Sequence, residues 1–176
     1  NGLQGKDNLT AADYRVTAAF EDAKVGYKKI VTGKVTLNQT ATAKNYLLND
    51  GNFRTDNGTI AKAAAPTVQP VELTIYNGVQ RDYYVDLPPL PELGEGKSYG
   101  TVDYSNPHMI NLPEGYTAQS TLVADPENLK TYRLLLRMNQ TGSLTEEIGT
   151  VTIPVTTSNY QDITLTVKVN AVNQIT

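Results

Sequence analysis

The sequence predicts an all-β protein in which two sheets pack against each other. Apolar and polar residues alternate along several segments of the chain, which is the period of a half-buried strand. The 176 residues include 23 threonines and 15 asparagines, with 13 glycines and 9 prolines, a composition typical of pleated strands and turns. No window of comparable length carries the 3.6-residue apolar stripe of an amphipathic helix.

The alternation predicts five strands in chain order. They centre on residues 31–37, 71–75, 132–138, 151–155 and 163–171. The last of these is the clearest, because every odd position is apolar and every even position is polar. In the third, Leu134, Leu136 and Met138 share one face, which should therefore point into the core.

Two segments leave their structure open. Residues 11–20 fit a short helix, but Tyr14, Val16 and Ala18 alternate equally well as a strand. Pro154 interrupts an otherwise regular strand, and because proline has no N–H to donate, it favours a sheet edge or a bulge there.

Composition excludes several classes of function. The net charge of -3 leaves no basic surface for a phosphate backbone, so nucleic-acid binding is not expected. No apolar stretch approaches the roughly 20 residues of a membrane span, which argues against direct membrane insertion. Cysteine is absent and histidine occurs once, so disulfides, thiolate metal sites and most acid–base constellations are not available. We therefore expect a protein that is not an enzyme and that uses no cofactor or metal.

The sequence predicts one domain boundary in the chain. Residues 61–70 are rich in alanine and include Pro66 and Pro70, which favour extended backbone with little to bury. This short Ala/Pro linker predicts one domain at residues 1–65 and another at residues 66–176. A domain of about 65 residues buries only about 60% of its unfolded surface, so the first is expected to be marginal alone.

The first domain carries five short motifs in a recognisable order. They are Gly-Lys-Asp at 5–7, Ala-Phe-Glu-Asp-Ala-Lys-Val-Gly at 19–26, Lys-Lys-Ile-Val-Thr-Gly at 28–33, Asn-Tyr-Leu-Leu at 45–48 and Gly-Thr-Ile-Ala-Lys-Ala at 58–63. Residues 1–63 resemble the YDG repeat of bacterial surface proteins, a family of Ig-like β modules found in haemagglutinin-type adhesins. The opening Lys-x-Tyr-Asp-Gly strand of that pattern is absent. The resemblance thus implies an incomplete first sheet, with uncovered apolar side chains among Val25, Ile30, Val31 and Leu37.

The second domain resembles modules that follow such repeats in large surface proteins of Gram-positive gut bacteria. The resemblance is carried by Asn-Gly at 77–78, Tyr-Tyr-Val-Asp-Leu-Pro at 83–88, Tyr-Gly-Thr-Val at 99–102 and Thr-Ser-Asn-Tyr-Gln-Asp at 157–162. Together the two resemblances imply tandem Ig-like β-sandwiches on the outside of a bacterial cell, with neighbouring domains of the same protein as partners.

Three functional hypotheses follow from these resemblances. The leading one is a non-catalytic structural or adhesive module that acts as a spacer or stalk. The second is a module that binds a carbohydrate or a host protein through a tyrosine-rich surface. The third is an accessory domain of an exported enzyme.

A group of tyrosines is the candidate ligand platform. Five of the 11 tyrosines crowd into the first half of the second domain, at Tyr83, Tyr84, Tyr99, Tyr104 and Tyr116. Such rings can stack on the faces of sugars. The alternative is that they pack in the core and on sheet surfaces, and strand alternation must send adjacent tyrosines to opposite faces.

The other candidate sites favour structural roles. His108 has no companion of the kind that metal binding or catalysis needs. Asp50, Asn52 and Asp56 offer oxygen ligands but lack the 12-residue calcium-loop pattern, and a turn is favoured. Residues 125–128 likewise suggest a turn, and the proline-rich residues 87–93 a rigid connection between strands. The carboxylate pairs are Glu146 with Glu147 and Glu92 with Glu95, and adjacent strand residues cannot share a substrate.

Overall fold

In the computed structural model of the chain, residues 2–127, 132–140 and 142–174 are described. They form eleven β-strands and one turn of 3-10 helix at Ala43–Asn45, so the all-β prediction is confirmed. The chain divides into two compact units, Asn1–Ala61 and Lys62–Thr176. We call them unit 1 and unit 2. The first unit ends four residues before the predicted boundary at residue 65. The independent folding of the two domains stays a prediction.

Unit 1 contains one antiparallel sheet of three strands in the order β1-β2-β3. The strands are β1 Tyr14–Phe20, β2 Gly26–Leu37 and β3 Asn52–Ile60. The ambiguous segment at residues 11–20 thus contributes a strand, and the alternation around Gly33 marks the middle of β2, as expected. Asp56, for which a turn was favoured, lies instead within β3. There, Asp56 and Asn57 oppose a single residue of β2 and form a bulge.

The sheet of unit 1 is amphipathic. Cross-strand partners share a face, and the β1–β2 register pairs Tyr14 with Leu37, Val16 with Val35, and Phe20 with Val31. The residues between them, such as Arg15, Thr17, Thr32 and Lys34, form the polar face. On the apolar face the ring of Phe53 lies against Gly33, where a Cβ atom would come within 2.3 Å of its Cζ. Glycine at this position therefore makes room for the Phe53 ring.

Asp13 ties the start of β1 to the loop after β2. Its side chain is 6% exposed. The carboxylate accepts hydrogen bonds from the N–H and hydroxyl of Thr10, both at 2.8 Å, and from the Thr40 hydroxyl. The hydrogen bond from Thr40, followed by those from Thr10, lowers the pKa of Asp13 below its ordinary value.

This network predicts acid sensitivity in unit 1. A carboxyl whose pKa is lower in the folded state stabilises that state above its unfolded pKa of about 4 and loses that contribution as the pH falls. We expect the melting temperature of unit 1 to drop as the pH falls below about 4. In Asp13→Asn the drop should be shallower, because the charged acceptor is gone. Calorimetry over that range measures it, with Asp56→Asn as an exposed control. Equal drops in the native chain and Asp13→Asn would refute the role.

Unit 2 contains the remaining eight strands in two sheets. They are β4 Val71–Tyr76, β5 Asp82–Asp86, β6 Val102–Tyr104, β7 His108–Ile110, β8 Tyr116–Ala124, β9 Tyr132–Gln140, β10 Glu147–Thr157 and β11 Ile163–Val172. One sheet has the order β4-β11-β10-β6, with β7 also paired to β10, and the other has the order β5-β9-β8. All pairings are antiparallel except that of β4 with β11, which is parallel.

The two sheets of unit 2 enclose one hydrophobic core, which gives the unit a β-sandwich-like fold. The inward residues predicted from alternation are buried: Leu134, Leu136 and Met138 are all 0% exposed. The odd positions of β11 from Ile163 to Ala171 face them from the other sheet and are equally buried. Sequence alternation therefore identified the core faces of both sheets.

Pro154 lies in a central strand, and the expectation of an edge or a bulge is wrong. The bulge in β10 is at the start of the strand, between Glu147 and Gly149. The Pro154 carbonyl accepts a hydrogen bond from the N–H of Ser105 at 2.9 Å. Because the N and O of one strand residue point to the same neighbour, the missing N–H faces residues 105–107, where β6 has ended and β7 has not begun. The interruption of that neighbour accommodates the proline.

Candidate functional site

Two features of unit 2 are candidates for function. The first is the outer face of the β5-β9-β8 sheet, away from the core. Strand alternation turns Tyr83 inward, where it is 5% exposed, and Tyr84 outward, where it is 50% exposed. The register places Asp82 beside Arg137 and Asp86 beside Arg133. The outward residues of β5 thus alternate acid, aromatic and acid opposite two arginines.

Arg137 and Asp82 form a two-point ion pair. The Arg137 Nε and Nη2 atoms donate to the two carboxylate oxygens at 2.7 and 2.9 Å. Donation from Arg137 lowers the pKa of Asp82, and the same contact raises the pKa of Arg137. Both groups therefore stay charged and fixed in one geometry at neutral pH.

Arg133 joins Asp86 to Tyr84. Its Nε lies 2.7 Å from Asp86 Oδ1, but the N–H is not directed at that oxygen, so the contact is an ion pair without an aligned hydrogen bond. Its Cζ also lies 5.7 Å from the centroid of the Tyr84 ring, within the range of a cation–π contact. The exposed ring is thus held in place by a neighbouring guanidinium.

A shallow groove continues this face beyond Arg137. Gln80, Thr117, Gln119, Arg137 and Asn139 contribute its polar side chains. The register sets Gln119 beside Arg137 and Thr117 beside Asn139. The groove therefore presents amide, hydroxyl and guanidinium groups in adjacent rows.

The five predicted platform tyrosines do not share one surface. Tyr83 and Tyr116 are buried, and the Tyr116 hydroxyl donates to Asn77 Oδ1 at 2.9 Å. Tyr99 and Tyr104 are half-buried, and burial raises the pKa of each. Their rings pack at 5.1 Å against Tyr160 and Tyr132 respectively. Of the five, Tyr84 is the member that presents a largely exposed ring.

The remaining predicted candidates are dispersed. His108 is exposed at the start of β7. Asp50 accepts hydrogen bonds from the backbone and side-chain nitrogens of Asn52 at 2.8 and 2.9 Å. Asp125 accepts from the N–H of Glu127, as a turn requires, and Asn128 lies outside the described residues. In the parts of the chain that the structure describes, no three His, Cys, Asp or Glu side chains are grouped to hold a metal.

The proline-rich segment and the carboxylate pairs have structural surroundings. Residues 87–93 connect β5 to β6, and the Pro91 carbonyl accepts a hydrogen bond from Tyr99 at 2.8 Å. Glu147 lies at the start of β10, 3.6 Å from the ammonium of Lys168. The backbone carbonyl of Glu146 accepts from Ala171 at 2.9 Å. Glu92 and Glu95 are exposed in the connection before β6.

Sequence reasoning missed the ion pairs and the groove. The available signal was alternation. Asp82 and Asp86 lie two residues on either side of Tyr84, and Arg133 and Arg137 lie two residues on either side of Leu135. This alternation indicates two charged strand faces, but it does not say that these strands are neighbours, since about 50 residues separate them. Cross-strand register depends on the whole fold.

The second candidate feature is the pairing of the first and last strands of unit 2. β4 runs parallel to β11, from Val71 opposite Val167 to Tyr76 opposite Val172. Ala63 continues the same direction, because its N–H donates to Asn159 and its carbonyl accepts from Gln161, both at 2.8 Å.

Asn77 extends the pairing past the end of β4. Its N–H donates to the Val172 carbonyl at 2.8 Å. Its side-chain nitrogen donates to Asn173 Oδ1 at 2.9 Å and to the Leu144 carbonyl at 2.7 Å. The start of unit 2 therefore pairs with the end of unit 2 at Ala63, along Val71–Tyr76 and at Asn77.

No family model, curated protein or solved structure matches the chain. Within the described ranges, no helix is long and apolar enough to cross a membrane.

Proposed function

We propose that this chain is a non-catalytic structural module of a large bacterial cell-surface protein, where it acts as a spacer or stalk that bears tension. The parallel pairing of the first and last strands of unit 2 carries the proposal. The resemblance of residues 1–63 to YDG repeats, and of unit 2 to modules that follow them, supports an Ig-like identity for both units and an extracellular location. The single histidine and the absence of cysteine support the non-catalytic assignment.

The mechanical argument rests on where force enters and leaves unit 2. Tension pulls β4 by its first residue, Val71, and pulls β11 by its last residue, Val172. These residues lie at opposite ends of the paired segment. Because the strands are parallel, the pull slides them along each other and loads their evenly spaced hydrogen bonds together. Had the strands been antiparallel, both pulls would have met at one end and opened the bonds one at a time.

The side chains of β4 add to this resistance. Leu73 and Ile75 are 7% and 0% exposed and anchor the strand in the core between the sheets. To slide β4 along β11 requires these side chains to leave their packing sites, which costs the free energy of apolar burial in addition to the hydrogen bonds. The entry segment is therefore fixed by both its backbone and its side chains.

Single-molecule pulling of the full chain tests the proposal. The native chain has no cysteine, so paired cysteines can serve as unique handles. In Pro70→Cys/Gln174→Cys the force shears β4 against β11. In Pro70→Cys/Thr166→Cys the handles flank the start of the pair, and the force peels the strands apart. We expect a clearly higher unfolding force in the first geometry at equal loading rate, because forced unfolding follows the barrier that the loaded bonds impose.

The two handle pairs share one attachment point, so the comparison controls for the chemistry of the linkage. Melting temperatures of both variants, measured without force, show whether the substitutions themselves weaken unit 2. Equal unfolding forces in the two geometries, with unchanged melting temperatures, would contradict a load-bearing role.

A further inference from the structure

We infer that the outer face of the β5-β9-β8 sheet is a binding surface for a neutral oligosaccharide. It is built from Tyr84 at one end and the polar groove of Gln80, Thr117, Gln119, Arg137 and Asn139 at the other. This surface differs from the predicted tyrosine platform, since it keeps one of its five rings and gains five polar side chains.

The charge balance of the face favours a neutral ligand. Its two arginines are each paired with an aspartate: Arg137 with Asp82 through two hydrogen bonds, and Arg133 with Asp86 at 2.7 Å. The other outward residues of the face carry no charge: they include Tyr84, Leu135, Val123 and the amides and hydroxyls named above. A surface without net charge has no field to attract phosphate or sulfate groups. Hydroxyl-rich ligands match it better than anions do.

The polar groups can serve a sugar as both donors and acceptors. A guanidinium has five N–H donors, and the pair with Asp82 uses two of those on Arg137, so three stay available. Gln119 and Asn139 each add an amide that donates and accepts. Because Asp82 holds the guanidinium in one orientation, little side-chain entropy is lost when a ligand binds.

Tyr84 supplies the apolar contact that such ligands need. Its ring is 50% exposed and is steadied by Arg133, whose Cζ lies 5.7 Å from the ring centroid. Strand residues two apart are about 7 Å from each other, and neighbouring strands are about 5 Å apart. Asn139 lies four residues along β9 from the partner of Tyr84, so the grid from Tyr84 to Asn139 matches a chain of several sugar rings running mainly along the strands, with one ring against the aromatic face.

Titration of the full chain tests the inference. The probes are neutral tetra- to hexasaccharides of glucose, mannose, galactose and xylose, with sulfated and sialylated oligosaccharides for comparison. Binding is measured by calorimetry and by NMR shifts. We expect saturable binding of at least one probe, and a loss of affinity of roughly tenfold in Tyr84→Ala, as expected for an aromatic contact of about 1.4 kcal/mol. Tyr84→Phe should keep most of the affinity. Addition of Gln119→Ala and Asn139→Ala to Tyr84→Ala should lower the affinity below that of Tyr84→Ala alone.

Tyr27→Ala is the matched control, because Tyr27 is 85% exposed and belongs to unit 1. It should bind as the native chain does. Melting temperatures of the face variants establish that they are folded. The inference is overturned by the absence of binding to every neutral probe, by binding that Tyr84→Ala does not weaken, or by binding confined to sulfated or sialylated probes and abolished by salt.

Discussion

Unit 1 prepared alone, as residues 1–61, is expected to melt at a lower temperature than unit 2 prepared alone, as residues 62–176. Of the apolar residues that the structure describes as buried, sixteen belong to unit 2, whereas unit 1 has Ala43. Tyr14, Val16 and Phe20 on the sheet of unit 1 are 38–49% exposed. A single sheet with so little burial has a small hydrophobic contribution to its free energy of unfolding.

The expected difference is at least about 10 °C, since 1 kcal/mol corresponds to roughly 4–8 °C in a domain of this size. Scanning calorimetry of the two fragments, with the full chain as reference, measures it. A cooperative transition of residues 1–61 above that of residues 62–176 would show that the buried apolar surface does not set the order of stability. Val16→Thr in unit 1 gives a second measurement: it should change the melting temperature little if that side chain is exposed, as the structure shows.

Leu136→Ala is expected to lower the melting temperature of unit 2 more than the neighbouring substitution Leu135→Ala in β9. Leu136 is 0% exposed in the core, and removal of its side chain loses apolar burial and leaves a cavity, at a cost of about 2–5 kcal/mol. In unit 2 this corresponds to a decrease in melting temperature of roughly 8–20 °C. Leu135→Ala is the matched control, since Leu135 belongs to the same strand, is half-buried and faces outward.

Thermal unfolding followed by circular dichroism measures both substitutions. The decrease in Leu135→Ala should be less than half of that in Leu136→Ala. Similar decreases in the two variants would mean that the inward and outward faces of β9 are assigned wrongly, and with them the position of the core. This is the most direct check on the packing of the two sheets.

Local pattern predicted the strands and their buried faces. Leu134 and Met138 are fully buried because alternation is a property of the strand itself and needs no knowledge of its neighbours. Alternation also identified the strand at Tyr14–Phe20, although the same residues fitted a short helix equally well. Tyr83 and Tyr84 also turn to opposite faces, as their adjacency requires.

Pairing between distant strands could not be predicted in this way. Pro154 is tolerated in a central strand because its other neighbour is interrupted at residues 105–107, which no local pattern reveals. The contact of Asp82 with Arg137, and hence the candidate binding face, likewise depends on which strands lie side by side. Alternation in β8 turns Tyr116 inward, but its hydrogen bonds to Asn77 and Leu144 join segments that no local pattern brings together.

The parallel pairing of β4 with β11 also sets how far unit 2 can lengthen. In the folded state the path between Val71 and Val172 spans the six paired residues, about 20 Å. Once the pair gives way, the chain between those residues can stretch to about 350 Å. Unfolding of unit 2 would therefore lengthen the chain and lower the tension during a sudden pull. Refolding would shorten the chain again when the pull ends. Under the proposed stalk function, unit 2 would thus limit the peak tension along the protein and regain its length on refolding.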